Sequence, residues 1–469
     1  MKESEAYDFI VLGGGSAGYA GAAAAAKLGL KTAVIEGGAD VGGLCILRGC
    51  MPSKTLLESG HRARTIREAA EFGLKASFEG ANGPAIRARK RRLIAEFAGY
   101  RRTQLEAGRF DFIRGNASFL DPHTVEVQFM DGGVQRIGGR AFLIATGSEI
   151  SGPKIEGLDE VGFWTSDDAL DADTIPASVC ILGGGAIALE FASYYSGLGV
   201  PTTVIQRSAH ILKEMDEDVT DALAAALEKH GAVIYRDTHL TRVSRGASGK
   251  CVHFEQAGEP RMVEAQQIIY ALGRAPAIGG LGLTLAGVRC AHGGILADAT
   301  QQCGAPHLFA AGDVCGPHQV VHIAIQQGEL AARNAARVLG RLGGALEQID
   351  YALNLFACFT EPQVAAAGLT ERECAAQGRE VLVARYPFAD HGKALVRHAT
   401  DGFVKLIADR ASRRLLGGAC LGPEASELIH EIVVALRFHA TAHDLATIPH
   451  YHPTLSEIWT YPAEELAEM

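Results

Sequence analysis

The apolar run Tyr7 to Leu12 leads into Gly13-Gly14-Gly15-Ser16-Ala17-Gly18 and an alanine-rich helix, and the pattern returns at Val179 to Leu182, Gly183-Gly184-Gly185-Ala186-Ile187-Ala188 and the helix after it. A strand ending in G-x-G-x-x-G/A at the start of a helix is a dinucleotide-binding unit, whose glycines let backbone N–H groups approach a pyrophosphate. Two such units constrain the fold more than any other feature of the chain. Each is followed, about 20 residues on, by a second strand. The first runs from Leu30 to Ile35 and ends at Glu36, where an acid can hydrogen-bond an adenosine ribose; the other runs from Thr202 to Ile205 and ends at Gln206. With no carboxylate at Gln206 to repel a 2′-phosphate, and with Arg207 and Lys213 at hand, the second pocket leans toward NADPH over NADH. Solvated surface cations are the competing reading of that pair.

Leu308-Phe309-Ala310-Ala311-Gly312-Asp313 precedes a helical stretch from Val320 to Leu339. Asp313 there is either an acceptor for a cofactor polyol or a simple helix cap. Shortly after the first glycine loop comes Gly42-Gly43-Leu44-Cys45-Ile46-Leu47-Arg48-Gly49-Cys50-Met51-Pro52-Ser53-Lys54, a placement that suggests a redox-active disulfide beside a flavin. Gly49 lets the intervening chain turn back far enough to bring the two sulfurs within bonding distance. Pro52 suits the first helical position after Cys50, because its missing N–H would be unpaired there anyway, and the helix runs on through Leu56, Leu57 and Arg64. The partial positive charge of that helix start favours a thiolate at Cys50, leaving Cys45 as the exchanging sulfur. The spacing alone fits two buried structural thiols equally well.

A chain of 469 residues is too long for one core and divides into about three domains at roughly 150 residues each. A formal charge of -10 argues against nucleic acid as the main partner. The acidic start, Met1-Lys2-Glu3-Ser4-Glu5-Ala6-Tyr7-Asp8, lacks the basic and apolar blocks of a signal peptide, and the run Gly21 to Leu30, broken by Lys27, is too short to span a bilayer. A cytoplasmic protein without a membrane partner is expected. Ten cysteines are too few for a disulfide scaffold, and only Cys45 and Cys50 form a pair. The cationic run Arg87-Ala88-Arg89-Lys90-Arg91-Arg92, continuing to Arg101 and Arg102, reads as a solvated helix face, with docking of an acidic carrier domain as the alternative.

Taken together, the two glycine loops, C-x4-C-x-P-S-K, Ala-Gly-Asp and the terminal His452-Pro453-Thr454-Leu455-Ser456-Glu457 resemble the flavoprotein disulfide reductases over essentially the whole chain. Within that group the likeness leans to the dihydrolipoamide dehydrogenase branch. The resemblance implies an α/β fold with two Rossmann-like dinucleotide-binding domains and a C-terminal α+β dimerisation domain. Its parts would be an FAD-binding domain at 1–150, an NAD(P)-binding domain at 151–273, a central segment completing the FAD domain at 274–344, and an interface domain at 345–469.

On the same basis FAD would be held by Gly13, Gly15, Ser16, Gly18, Glu36, Gly43, Lys54, Ala145, Thr146, Gly147, Gly312 and Asp313. NADH or NADPH would be held by Gly183, Gly185, Ile187, Glu190, Gln206, Arg207, Lys213 and Gly273. Cys45 would exchange with substrate, and Cys50 would lie against the flavin as the charge-transfer thiol. Lys54, paired with Glu190, would stand near the reactive flavin nitrogen. His452 would be the base, oriented by Glu457, with His450 in support; this segment would enter the active site of the other subunit of a homodimer. No residue set has metal-ligand spacing.

Leu44 and Leu47 stand where the family usually carries threonine and asparagine. Ala186 follows the second glycine run where many members carry an aromatic gate, leaving Tyr194 or Tyr195 to gate the nicotinamide or simply to pack the helix. The expected activity is NAD(P)H:disulfide oxidoreduction on a disulfide or dithiol, small or carried on a carrier domain. The alternatives are an NADPH-dependent reductase of another small disulfide, as in glutathione reductase, a quinone reductase, and a non-catalytic electron-relay subunit. Mercuric reduction is disfavoured, since the chain ends Ala463-Glu464-Glu465-Leu466-Ala467-Glu468-Met469 without a cysteine pair.

Overall fold

A computed structural model describes residues 6–469; the stretch Met1–Glu5, part of the acidic start considered above, lies outside the described residues. The early elements are β1 (Tyr7–Leu12), α1 (Ser16–Lys27), β2 (Thr32–Glu36), α2 (Gly43–Leu47), α3 (Cys50–Arg67), α4 (Gly83–Leu105), β3 (Asp111–Asp121), β4 (Thr124–Phe129) and β5 (Val134–Ile144). The chain forms two compact units, one of residues 1–53, 88–152 and 273–350, the other of 54–87, 153–272 and 351–469. Among the described residues no helix is long and apolar enough to cross a membrane.

The first unit is built on a parallel sheet. β1 lies between β2 and β5, β3 pairs with β2, and the short strand Leu308–Ala310 pairs with β5. β4 runs antiparallel between the far ends of β3 and β5, which explains why those two strands are long. Alternation in β1 sends Phe9 and Val11 to one buried face and Ile10 and Leu12 to the other, as a sheet covered on both sides requires. Each such side chain contributes about 1.5–3 kcal/mol by leaving water.

The alanine run of α1 is a packing surface against the helix Val321–Val338. A Cβ on Gly328 would come within 2.2 Å of the Ala17 carbonyl oxygen, so the two backbones touch and only small residues fit between them. β2 starts at Thr32 and not at Leu30, because the Leu30 N–H still bonds the Ala25 carbonyl across Gly29, whose φ is +74°. A left-handed glycine closing a helix in this way delays the strand by two residues.

The second unit holds a parallel sheet in the order Ala232–Tyr235, Thr202–Ile205, Val179–Leu182, Gln267–Tyr270, Trp164–Thr165. It also holds an antiparallel sheet in the order Leu355–Cys358, Gln363–Gly368, Leu415–Gly422, Phe403–Asp409, Val381–Pro387. Helix Ala425–Arg437 covers the latter, burying Ile429 and Ile432 in a core with Val404, Leu406 and Trp459.

Lys405, on the strand Phe403–Asp409, is fully buried, with its ammonium 2.8 Å from Asp216, 2.9 Å from Asp218 and 2.5 Å from Glu371. These three carboxylates are close enough together to hold a cation, and the lysine supplies it. Burial pushes the ammonium's pKa down, but hydrogen bonds to the three acids more than offset this and leave it raised. Lys405→Ala is expected to strip Asp216 of its cation, leaving Arg385 to pair with Asp218 and Glu371, and to destabilise the fold by about 3–5 kcal/mol, seen as a lower denaturation midpoint.

Candidate active site

The first glycine loop is shaped for close backbone approach. Gly13 has φ +104°, and a Cβ there would meet the Ala145 carbonyl oxygen at 2.4 Å; a Cβ on Gly18 would meet the Gly13 carbonyl oxygen at 1.8 Å. Gly15 precedes α1 without a side-chain cap, so the first N–H groups of the helix, beginning at Ser16, point to a site suited to an anion. Gly43, at the start of α2, comes so near that a Cβ would sit 2.6 Å from the Gly15 Cα. Glu36 accepts from the Gly14 N–H and the Gly38 N–H, both at 2.7 Å, which fixes its carboxylate at the end of β2 where a ribose would lie.

The crossover after β5 completes this pocket. Ala145 N–H bonds the Leu12 carbonyl, Thr146 Oγ1 donates to the Ala277 carbonyl at 2.7 Å, and Gly147 has φ +75°. Ser148 Oγ donates to Asp313 Oδ2 at 2.7 Å and accepts from Arg274 Nε at 2.9 Å. Gly312 N–H donates to Gln327 Oε1. The helix after Asp313 begins only at Val321, so Asp313 caps nothing and presents a carboxylate instead. Pyrophosphate cradle, ribose acid and polyol acceptor thus all belong to one unit, and their chemistry fits a flavin dinucleotide.

The second loop repeats the geometry in the other unit. A Cβ on Gly183, at φ +116°, would come 2.4 Å from the Ala271 carbonyl oxygen; Gly185 precedes the helix Ala186–Gly197 with open space before it. The Gln206 side chain lies over Gly184 and donates to the His210 carbonyl. Arg207 is exposed, while Lys213 is exposed and 3.9 Å from Glu214. Ile187 is 40% exposed at the helix start, whereas Tyr194 and Tyr195 are buried against each other at 4.8 Å between centroids. The two tyrosines therefore pack the helix and gate nothing. Gly273 has φ +149° and receives the Ser151 N–H on its carbonyl.

Cys45 lies within α2, and Cys50 is the first residue of α3; both are half-buried. The helix starts two residues before Pro52, because a proline is tolerated throughout a first turn whose N–H groups have no intrahelical partner. Arg48 and Gly49 make the turn, and a Cβ on Gly49 would press on the Leu44 carbonyl at 3.1 Å. Leu47 packs on Gly42, within 3.3 Å of where a Cβ would stand.

One turn along α3 from Cys50, the Lys54 ammonium contacts both oxygens of Glu190, at 2.8 and 2.9 Å. Glu190 is itself buried and accepts the Phe359 N–H at 3.2 Å, and the Phe359 ring lies 4.5 Å from the ammonium. An ion pair walled by an aromatic face is held far more rigidly than two exposed side chains.

At the C-terminal end, His452 Nδ1 meets Glu457 Oε1 at 2.8 Å, and Glu457 Oε2 accepts the Thr454 N–H at 2.6 Å. Burial pushes the Glu457 carboxyl up, but the Thr454 and His452 hydrogen bonds outweigh it and hold it below its ordinary range. His452 is 82% exposed, so its Nε2 is available to a reactant. His450 is buried with both ring nitrogens engaged, Nε2 with Glu431 at 2.8 Å and Nδ1 with the Ile448 carbonyl at 2.9 Å. These two contacts tie it to the backbone of its own segment and to the helix Ala425–Arg437.

The cationic helix face divides. Arg87 pairs with Asp171 and Asp173, and Lys90 is buried at 6% exposure, whereas Arg92 pairs with Glu96 on the same helix. The run is therefore partly structural and not simply a solvated face. Phe359, Glu431 and the buried His391, on which the charges of Glu457 and His452 act, are part of these arrangements without any sequence motif to reveal them.

A family model described as pyridine nucleotide-disulphide oxidoreductase matches residues 7–328, and the dimerisation domain of the same family matches residues 356–463. The dihydrolipoyl dehydrogenase of Bacillus subtilis is 34% identical over 468 residues, covering 96% of each chain. The mercuric reductase of Bacillus cereus is 33% identical over 453 residues, covering 96% of this chain and 70% of its own. Among solved structures, the HOCl-induced flavoprotein disulfide reductase RclA from Escherichia coli, as a Cu(II) complex, superposes with a TM-score of 0.86 at 26% identity, covering 98% of this chain and all of its own. LpdA from Mycobacterium tuberculosis does so with a TM-score of 0.86 at 28% identity, covering 98% and 99%. The resemblance read from the motifs and the α/β architecture are both borne out, and the dimerisation domain supports a homodimer. With a nucleotide cradle in each unit, the chain belongs to the pyridine nucleotide-disulphide oxidoreductases, flavoprotein oxidoreductases that use FAD and NAD(P)H.

Proposed function

We propose that this oxidoreductase passes electrons between NAD(P)H and a small or carrier-borne disulfide through Cys45 and Cys50, in the manner of a dihydrolipoamide dehydrogenase. The observation that carries this reading is the start of α3 at Cys50, with Cys45 on the short helix before it and the Lys54–Glu190 pair one turn beyond. The similarity to dihydrolipoyl dehydrogenases over nearly the whole chain supports it. In this assignment residues 1–150 and 274–344 hold FAD, 151–273 hold the nicotinamide nucleotide, and 345–469 form the dimer interface.

FAD, when bound, supplies the two-electron chemistry that links a nicotinamide to a dithiol. The residues of the chain do the rest. The glycine loop, Glu36, Thr146 and Asp313 would hold the dinucleotide, and the family resemblance gives Lys54, paired with Glu190, to its redox end. In the direction of disulfide reduction, the Cys45 thiolate attacks one sulfur of the substrate; a bond forms between them, the substrate S–S bond breaks, and the departing thiolate takes a proton from His452 of the other subunit of the homodimer. The Cys50 thiolate then attacks the Cys45 sulfur, forming the internal disulfide and releasing the second substrate sulfur as a thiolate, which takes its proton from solvent. Glu457, kept ionised by the Thr454 N–H, orients His452 and stabilises its protonated form.

Gln206 and the exposed Arg207 favour NADPH, because a 2′-phosphate meets a cation there and no carboxylate. The test is anaerobic reduction by each nucleotide followed by reoxidation with lipoamide, glutathione disulfide and a quinone. Faster bleaching by NADPH than by NADH and rapid reoxidation by lipoamide are expected. Reoxidation by the quinone alone would overturn the disulfide assignment.

A further inference from the structure

Lys54 and His61 stand two helical turns apart on α3, which puts both on one face of it. That face meets segment 359–361, and the two are fastened at both ends of the segment. At its start the Phe359 N–H donates to Glu190 at 3.2 Å and the Phe359 ring lies 4.5 Å from the Lys54 ammonium. At its end Glu361 Oε2 lies 2.9 Å from His61 Nδ1. The helix Ala186–Gly197 holds the same segment twice, since Ser193 Oγ, one turn beyond Glu190, accepts the Glu361 N–H at 2.9 Å. All of these residues belong to the second unit. The His61 and Glu361 side chains are 42% and 32% exposed, and an ion pair so open to water adds little stability. Its effect is on position. Without it, α3 is tied to the segment by Lys54 alone.

We infer that His61 is a positioning residue for the redox end of the bound dinucleotide: by gripping Glu361 it holds α3 to segment 359–361, and so fixes the Lys54–Glu190 pair. The inference rests on the reading that gives Lys54 to that end of the cofactor, and deepens it by naming what keeps the lysine in place.

The grip depends on charge. Glu361 raises the His61 pKa above its ordinary 6.5, burial opposes the rise, and on its own helix Glu58 adds to it while Arg62 subtracts. Burial pushes the Glu361 carboxyl up, but His61, Arg64 and His230 outweigh it and hold it below its ordinary range. Arg64 Nη1 donates to the Glu361 carbonyl at 3.3 Å, and His230 Nδ1 lies 3.0 Å from that oxygen. On its other side His230 meets Asp401 at 3.1 Å, which also pairs with Lys229 at 2.6 Å. The His61–Glu361 pair is therefore fully formed below pH 6.5 and is lost as pH rises through the raised His61 value.

The test is the midpoint of flavin bleaching in the FAD-loaded enzyme, titrated anaerobically against a reference dye at about pH 6 and about pH 9, either side of the histidine range. Comparing each variant with the unaltered protein at one pH cancels the protons that the flavin itself takes up. At the lower pH, His61→Gln is expected to lower the equilibrium constant for flavin reduction about fourfold, the change when a cation about 4 Å from an anion withdraws by about 1 Å at an effective dielectric constant of about 20. At the higher pH it should match the unaltered protein, whose His61 is then neutral. His61→Lys, a cation at both, should match the unaltered protein at the lower pH and exceed it at the higher. Glu361→Gln should also lower the constant at the lower pH, although loss of a negative charge acting through space alone would raise it; the sign separates position from long-range field.

An unmoved midpoint in His61→Gln at the lower pH would overturn the inference, as would a rise in Glu361→Gln or an effect of His61→Gln equal at both pH values. Lys54→Gln checks the underlying reading separately. A midpoint unmoved by that change would remove Lys54 from the redox end, and the role of His61 with it. A fall in Lys54→Gln with none in His61→Gln would leave Lys54 in place and defeat the role of His61 alone.

Discussion

Cys45→Ser is expected to lower disulfide-dependent turnover by about a thousandfold or more, because a hydroxyl can neither form the mixed disulfide nor reach the anionic state of a thiolate near neutral pH. The helix α2 that carries residue 45 should survive the change, since the substitution is nearly isosteric. The NAD(P)H-driven half of the reaction does not use this sulfur, so bleaching of the flavin by nucleotide should persist while reoxidation by lipoamide disappears. Stopped-flow traces of the two half-reactions separate these effects. Retained lipoamide-dependent reoxidation in the serine variant would remove Cys45 from the pathway.

His452→Gln carries the second large effect. Glutamine keeps a hydrogen bond to Glu457 but cannot accept and return a proton, and removal of a general acid–base typically costs about 10²- to 10⁴-fold. The loss should fall on kcat for disulfide exchange and leave flavin reduction by nucleotide largely intact. The pH dependence has a defined sign on the acid side. Glu457 is held below its ordinary value of 4.5, so the stabilising pair it makes is fully present above that value and is lost as pH falls through its lowered one. Turnover by the unaltered protein should therefore not lose the orienting carboxylate anywhere near neutrality. A variant retaining full lipoamide turnover would exclude His452 as the base.

Much of this was legible in the amino-acid sequence because local chemistry decided it. The strands Val179–Leu182 and Thr202–Ile205 stand where their apolar runs end, since each is bounded by a glycine loop or a polar residue that stops it. Glu36 is held at the end of β2 by two backbone N–H groups, one of them from the glycine loop, so its place at the strand end beside that loop was readable from spacing. The Lys54–Glu190 pair spans 136 residues and was accessible only through family likeness; the structure then brings the two within hydrogen-bond distance.

Other features rest on terms that no local pattern carries. Helix α2 is five residues long and opens on Gly43, so it shows neither a period nor a cap that would mark it in the sequence. The roles of Phe359 and His391 depend on packing against residues far along the chain. Arg101 looked like one more cation in a basic helix until the fold placed Tyr19 beneath it and left two of its donors unfilled. Lys405 gave no signal at all, because an isolated lysine in a strand is ordinarily exposed and only the convergence of Asp216, Asp218 and Glu371 allows it to be buried.

Disulfide exchange requires that Cys45 and Cys50 act as a redox couple in addition to the flavin. Anaerobic titration with dithionite, followed by absorbance and by thiol count, measures this directly. The unaltered protein should take up one electron pair more per subunit than Cys45→Ser and gain two titratable thiols as it does so. Equal uptake by the two proteins would mean that no disulfide forms between these cysteines, and would contradict the account.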